Sequence, residues 1–392
     1  MVKSEFDVII VGAGIVGAVL ACALRDSGLN LALVEPHPVE PPSERLDTRI
    51  YAISPGSAAL LANIGVWKTL DQRRICPVYA MDVRGDQGAE IVLDAYQAGV
   101  PQLAWILEGN RIQYGLWQAM QNQANLTLIS GAKGEGLCWS EPSTSSRRAK
   151  LTLDDGRQLS ADLVVAADGR ASWVRAQAGI EARREDYQQS GVVANFACEH
   201  PHRNMARQWF REDGILAWLP LPDRAISMVW STGDAHTQAL LAATPEQLAE
   251  QVAQAGRNSL GQLHTLTPAA AFPLSILRVS PIVAPGLALV GDAAHGVHPL
   301  SGQGVNLGLR DVAELVKVLK QRGAAHCGDL GLLRRYARAR RGDIVTTQTV
   351  TDGLHHLFHD QNPVLRHLRN VGMDVAGRIG PLKSWLVRQS LV

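Results

Sequence analysis

Charge is scarce in this chain. Asp, Glu, Lys and Arg make up 19% of its 392 residues and hydrophobic residues 46%, where an average soluble protein gives about a quarter to charge. That composition excludes a disordered chain, and the length allows two or three domains of roughly 150 residues, or one large discontinuous domain with ample core. Neither sign is in excess, since 38 Lys and Arg face 37 Asp and Glu. No overall field exists to release counterions from a polyanion, so nucleic acid is not an expected partner. Cysteine is sparse as well: Cys22, Cys76, Cys138, Cys198 and Cys327 are scattered, with no Cys-x-x-Cys pair and no zinc-ligand spacing. The expectation is a reducing, cytoplasmic compartment and no structural metal.

A membrane-length apolar run is also missing. Val8 to Leu24 carries no charge and ends in Ala21-Cys22-Ala23, which imitates a signal-peptide cleavage site. The residues before it include Glu5 and Asp7 beside a single Lys3. A signal peptide needs a positive leader, and the run falls short of the roughly 20 residues of a membrane span. No Gly-x-Ser-x-Gly elbow supports Ser/His/Asp catalysis. His355, His356 and His359 lack the Glu of a His-Glu-x-x-His zinc helix and read as solvated or packed histidines.

What the N-terminal run does hold is glycine at fixed spacing. Phe6 to Val11 has strand length, Gly12-Ala13-Gly14-Ile15-Val16-Gly17 follows, and Ile15, Val19, Ala23 and Leu24 mark one side of a helix. A second apolar run, Leu31 to Val34, ends in Glu35, about twenty residues beyond the glycines. Gly12 permits the turn, Gly14 lets a pyrophosphate approach the backbone at Ala13 and Gly14, and Gly17 lets helix and strand pack closely. The helix N-terminus offers free N–H groups to phosphate, and Glu35 would accept both hydroxyls of an adenosine ribose. Together these residues read as a dinucleotide site; a buried βαβ unit is the plainer alternative.

Two later segments select the dinucleotide. Ala161 to Ala167 is another buried strand and delivers Asp168-Gly169-Arg170-Ala171-Ser172-Trp173-Val174-Arg175. Leu287 to Val290 leads into Gly291-Asp292-Ala293-Ala294-His295 and then His298-Pro299-Leu300-Ser301-Gly302-Gln303-Gly304-Val305-Asn306. A glycine followed by an acid at a strand end lets an extended ligand lie on the backbone while the carboxylate takes a sugar-like hydroxyl, which for a flavin belongs to the ribitol. Val305, Leu309, Val312, Val316 and Leu319 fall at helical spacing, so Gly302 to Asn306 forms a helix start whose N–H groups can face the flavin pyrimidine edge. Asp292, His295 and His298 coincide with this motif, so a metal is not expected.

With these motifs the sequence resembles the flavoprotein aromatic hydroxylases of the para-hydroxybenzoate hydroxylase fold and, within them, the ubiquinone-biosynthesis hydroxylases. The resemblance runs nearly end to end. It is carried by Gly12 to Gly17, by Asp47-Thr48-Arg49-Ile50-Tyr51-Ala52-Ile53-Ser54, by Asp168 to Arg175 and above all by Gly291 to Gly308. Ala166 stands where the family usually has glycine, Arg170-Ala171 replaces Ala-Asn, and Gly296 replaces a common threonine. The resemblance implies an α/β fold: a Rossmann-like FAD-binding domain, an inserted mixed β-sheet substrate domain and a helical C-terminal region. It also implies FAD contacts from Arg49 and Arg111, and places His298 and Pro299 beside the isoalloxazine as the catalytic-site residues. NAD(P)H would serve as a transient reductant, and O2 would act through a flavin C4a-hydroperoxide on the ring of a polyprenylated, lipid-soluble ubiquinone precursor. A single Gly-x-Gly-x-x-Gly fingerprint excludes a second nucleotide domain, and the lack of Cys-x-x-Cys excludes a disulfide reductase. The rival expectations are a flavin oxidase or dehydrogenase that inserts no oxygen, and a non-catalytic flavoprotein assembly subunit.

The FAD-binding domain is expected over 1–175 and 272–331, a substrate domain over 176–271 and a helical C-terminal region over 332–392. Within the insert, Trp209 to Thr232 reads as a hairpin turning at Leu221-Pro222-Asp223-Arg224, with Ile215, Ala217 and Leu219 alternating in one strand and Ile226, Met228 and Trp230 in the next. Three tryptophans, 209, 218 and 230, lie there, and the sheet suits either an apolar substrate or ordinary core packing. Thr244 to Ala255 reads as a surface helix. Arg334, Arg335, Arg338, Arg340 and Arg341 read as a solvated helix face. After Leu332 ten Lys or Arg face four acids, and Val364, Leu368, Val371 and Val375 keep an apolar stripe. This end fits an anionic membrane surface on its inner face, a ubiquinone-biosynthesis complex, or packing on the protein body or on a second subunit.

Overall fold

The computed structural model describes residues 4–86, 88–140, 148–298 and 302–359. Pro299, and the stripe Val364 to Val375 with Arg366, Arg369, Arg378, Lys383 and Arg388, lie outside the described residues.

A first sheet is built on parallel strands with continuous apolar runs, the pattern of strands covered on both faces. Its main path runs Val283–Ala284, Leu287–Leu289, Gln158–Ala166, Glu5–Val11, Leu31–Glu35 and Leu126–Ser130. Val8, Ile9 and Ile10 in the centre, and Leu31 to Val34 beside them, are fully buried. The register pairs Val11 with Ala166 and with Val34, and Ala166 with Leu289. Four strands therefore end at one edge, and the segments carrying Gly12, Glu35, Asp168 and Gly291 start there side by side, where ligands bind in such sheets. Helices Ile15–Ala23, Gly109–Gln121 and Gln303–Lys320 cover one face, sharing a core with Leu20, Leu116 and Leu315.

A second, mixed sheet has the long strand Ala182–Cys198 at its centre. The expected hairpin forms from Gly214–Leu221 and Ala225–Gly233, with Asp223 and Arg224 at positive φ in the turn. Its register pairs Leu216 with Trp230 and Trp218 with Met228, so the row Ile226, Met228, Trp230 lies on the face opposite to Ile215, Ala217 and Leu219. Trp209, Trp218 and Trp230 pack with Leu248 and Val252 under the helix Pro245–Ala255. Core packing, and not a substrate, accounts for the tryptophans. That helix begins at a capping box in which Thr244 and Gln247 bond each other's backbone N–H. The other face carries Leu219, Ser227 and Asn195 toward Leu46, Ile50 and Ala52, and the Asn195 side-chain amide donates to Asp47 O at 2.8 Å. Strands Ala80–Arg84 and Glu90–Asp94 also join this sheet, the former beside Met205–Arg211, as do Ala270–Val279 and His295–Gly296.

The helix Leu330–His359 packs along Gln303–Lys320. Arg334, Arg335, Arg338 and Arg341 are exposed as expected, but Arg340 is not. Its guanidinium turns inward to a carboxylate on the neighbouring helix, which corrects the reading of all five as a solvated face.

Candidate active site

The glycine turn separates what the protein needs from what a ligand needs. A Cβ on Gly12, whose φ is +104°, would stand 2.4 Å from Ala167 O, and one on Gly17 would stand 2.0 Å from Gly12 O. Both glycines are dictated by the packing of strand, turn and helix. Gly14 has an ordinary φ of −62°, and a Cβ there would meet nothing within 4 Å. Nothing in the chain requires glycine at 14; open space above it, at a helix start without a side-chain cap, is what a pyrophosphate requires. Glu35 reaches back under the turn, accepting from Ala13 N at 2.6 Å and from His37 N at 3.1 Å. A carboxylate has about four acceptor positions, so these bonds orient Glu35 and leave it capacity for a ribose.

The remaining loops converge on the same edge. Asp168 caps Val174 N through Oδ2 at 3.0 Å, while its buried Oδ1 has no hydrogen-bond partner among the described residues. Such an acceptor calls for a donor from outside the chain. Arg175, buried, donates to Ala293 O at 2.8 Å and to Arg170 O at 3.0 Å, which bolts the Asp168 loop to the Gly291 loop. Arg170 reaches the second sheet through Ser275 O and Oγ, both at 2.8 Å, and lies where a Cβ on Gly296 would come within 3.0 Å. Two of the three departures from the family pattern, Arg170 and Gly296, thus lie side by side. Asp292 is exposed at the edge. The Tyr51 phenol is pushed up by burial, with Arg49 acting against this and Asp292 and Asp47 adding to it, so these groups gather around one ring.

Gly302, at φ +60°, starts the helix Gln303–Lys320 with no side-chain cap. Asn306 is committed elsewhere: its side chain accepts from Ser54 N at 2.9 Å and donates to Ala52 O at 2.8 Å. What this helix start can offer a cofactor is therefore backbone N–H at Gly304, Val305 and Asn306. Arg111 likewise donates to Glu108 at 2.9 Å and to Ser43 O at 2.9 Å. Glu108 also takes two bonds from Arg74 and one from Asp47 N, and so fixes the loop that leaves Arg49 exposed.

Several residues of the site were not anticipated. Asp311 is fully buried, accepting from Gly291 N at 2.9 Å, His295 Nε2 at 2.6 Å and Arg340 Nε at 2.7 Å. Burial opposes its ionisation, but His295 and Arg340 outweigh it and hold the carboxyl below its ordinary range. An acid three residues after Gly308, on the apolar side of its helix, was the available signal. His298 is fully buried and meets Tyr187 and His355 edge to face or tilted, at centroid distances of 4.9 and 4.9 Å. Burial, and then His355, push its imidazole down to about 3. His355 is packed, whereas His356 is exposed beside Asp352. Among the described residues no three His, Cys, Asp or Glu side chains gather into a metal site.

Comparison with known proteins bears on the fold and the family. The p-nitrophenol 4-monooxygenase PnpA of Pseudomonas putida shares the fold, with a TM-score of 0.79 over 99% of both chains at 18% identity. PqsL of Pseudomonas aeruginosa does so at 0.78 over 94% of this chain and 99% of that one, at 22% identity. The 3-demethoxyubiquinol 3-hydroxylase of Escherichia coli is 35% identical, with 100% of each chain covered. The ubiquinone hydroxylase UbiL of Rhodospirillum rubrum is 33% identical over 98% of this chain and 89% of that protein. The family model described as an FAD binding domain matches residues 5–350. The chain belongs to this family of FAD-dependent flavoprotein monooxygenases, in its group of ubiquinone-biosynthesis hydroxylases.

Proposed function

We propose that this chain hydroxylates the aromatic ring of a polyprenylated ubiquinone precursor, taking electrons from NAD(P)H and one oxygen atom from O2. The observation that carries it is the open space over Gly14 at the edge where the Glu35, Asp168 and Asp292 loops converge. Bound FAD would supply hydride acceptance and oxygen activation. The chain supplies position and electrostatics. The uncapped start of Ile15–Ala23 holds the pyrophosphate, with Ala13 in the turn, while Glu35 holds the ribose and Asp292 the ribitol. Arg49 and Asp168 complete the edge, and Arg111 acts by fixing the Arg49 loop. The N–H groups of Gly304, Val305 and Asn306 stabilise negative charge at the pyrimidine edge of the reduced ring. His298 is the floor on which the aromatic ring is held, and the second sheet keeps water from it; Pro299, outside the described residues, keeps the role beside the isoalloxazine that the family resemblance implies. Burial keeps the His298 imidazole neutral, so that floor is polar without carrying charge.

Among the described residues no helix is long and apolar enough to cross a membrane. We place the chain in the cytoplasm, at the membrane surface from which a polyprenylated substrate is drawn, with the basic segment after His359 as its contact. Mass analysis of products formed under isotopically labelled O2 tests the reaction. One labelled atom per product and per nicotinamide is expected; an unlabelled hydroxylated product would show oxygen from water and exclude the proposal.

A further inference from the structure

We propose that Tyr187 is a positioning residue for this hydroxylation, which holds the imidazole of His298 in one orientation beneath the substrate ring. The proposal rests on the function proposed above.

Tyr187 occupies an irregularity in the longest strand of the protein. Along Ala182–Cys198, Asp186 pairs with Ser275 and the next pair is Ser190 with Pro273. Three residues thus stand opposite Leu274 alone. Gln188 in the middle has a φ of +53°, which few residues other than glycine adopt. A bulge of this kind turns a side chain out of the alternation of its strand, and bulges collect beside active sites. Here it sends Tyr187 to the only place among the described residues where the second sheet, the loop ending at His298 and the helix Leu330–His359 meet on aromatic rings.

The Tyr187 ring lies 4.9 Å from that of His298 at 68° and 4.3 Å from that of His355 at 51°. Its hydroxyl donates to Asp352 Oδ1 at 2.9 Å. Asp352 takes a second bond from Arg278 at 2.9 Å, and Arg278 donates to Glu185, two residues before Tyr187, also at 2.9 Å. The string closes on its own strand, so the phenol is held at both ends. His356 approaches the same Asp352 oxygen at 3.4 Å from the solvent side. The helix has a separate anchor one turn earlier, where Gln348 donates to Leu277 O and Gly296 O at 2.8 and 3.1 Å. Loss of the tyrosine therefore leaves the helix attached and removes one of the two rings packed on His298, the part of this junction closest to the proposed chemistry. A floor that can turn admits water and wastes reduced flavin as hydrogen peroxide.

The test compares FAD-loaded wild type with Tyr187→Phe, which keeps the ring contacts, and Tyr187→Leu, which removes them while filling much of the volume. The NMR signal of the His298 imidazole, assigned with His298→Gln, is read without substrate; FAD affinity and product per nicotinamide are read beside it. Tyr187→Leu is expected to broaden the His298 signal or split it into more than one conformer, beyond the shift that loss of the tyrosine ring current brings, and to lower product per nicotinamide by about threefold or more, with FAD affinity within about twofold. Tyr187→Phe should retain more than about half of the wild-type coupling. A single sharp His298 signal in Tyr187→Leu, displaced only by the loss of the tyrosine ring current, overturns the proposal. So does a loss of FAD affinity shared equally by both variants, which would mark a structural role alone. If Tyr187→Leu does not fold, Tyr187→Met, an unbranched and more pliable side chain that also lacks the ring, carries the same test. A wild type that makes no product sinks the proposed function, while the His298 signal still decides the role of Tyr187.

Discussion

Gly14 and Gly17 stand three residues apart in one turn and are glycine for different reasons, which a pair of variants separates. Gly14→Ala adds a methyl group to open space, so the apoprotein should keep its stability to within about 0.5 kcal/mol while FAD binds more weakly. Gly17→Ala drives a Cβ to 2.0 Å from Gly12 O and should destabilise the apoprotein by about 1–3 kcal/mol or more. Urea unfolding of both apoproteins with FAD titration checks this; equal stability losses would contradict it. His298 gives a second prediction. Its folded value, about 3, lies below the unfolded 6.5, so the unfolded chain binds the proton first as pH falls. The contribution of His298 to stability is full above about 6.5 and is lost progressively toward about 3, at up to about 1.4 kcal/mol per pH unit. Between pH 7 and 5 the wild type should lose about 2 kcal/mol that His298→Gln does not lose. Denaturant titrations at the two pH values measure the difference, and parallel curves would refute it. Gly14 and His298 could be named as candidates from the sequence because the motifs around them are consecutive. The low pKa of His298 was not legible there, since it arises from burial by elements distant in sequence and then from His355.

At the scale of elements, the arginine run of Leu330–His359 shows where periodicity stops being informative. Four of its arginines face solvent, while Arg340 bonds Asp311 at 2.7 Å and Asp343 at 2.7 Å. No local pattern marks that one for burial, because its partner lies on another helix. Arg340→Leu leaves the Asp311 carboxylate buried with fewer donors and should cost about 3–5 kcal/mol; Arg341→Leu, on the exposed side, should stay within about 0.5 kcal/mol. Urea unfolding of the two variants decides it, and similar costs would show that the buried pair contributes nothing special. The same limit hid the bulge at Tyr187 and the membership of Ala80–Arg84 in the second sheet, since a register between remote residues such as Ala80 and Met205 leaves no trace in either stretch alone. The starts of the helices Ile15–Ala23 and Gln303–Lys320 were readable, each announced by glycines and then an apolar stripe.

For the whole molecule, a parallel sheet whose strand ends carry the ligand loops followed from three strand-and-glycine segments, whereas the way the two sheets interlock did not. The membrane proposal also belongs to this scale. A chain ended after His359 should lose binding to anionic vesicles that the full chain shows at low salt, and raised salt should release the full chain by screening. Sedimentation with vesicles reads both, and a full chain that never sediments at low salt would show that the substrate arrives by another route. The interlocking has a consequence for heredity. The second sheet draws its strands from three stretches of chain, with Ala80–Arg84 on one flank of Met205–Arg211 and Ala270–Val279 beside Ala182–Cys198. A gene fragment encoding 176–271 alone would yield a sheet with both flanks stripped, open to edge-to-edge aggregation. A swap of 176–271 between relatives should therefore fail to fold unless 80–94 and 272–296 are exchanged with it.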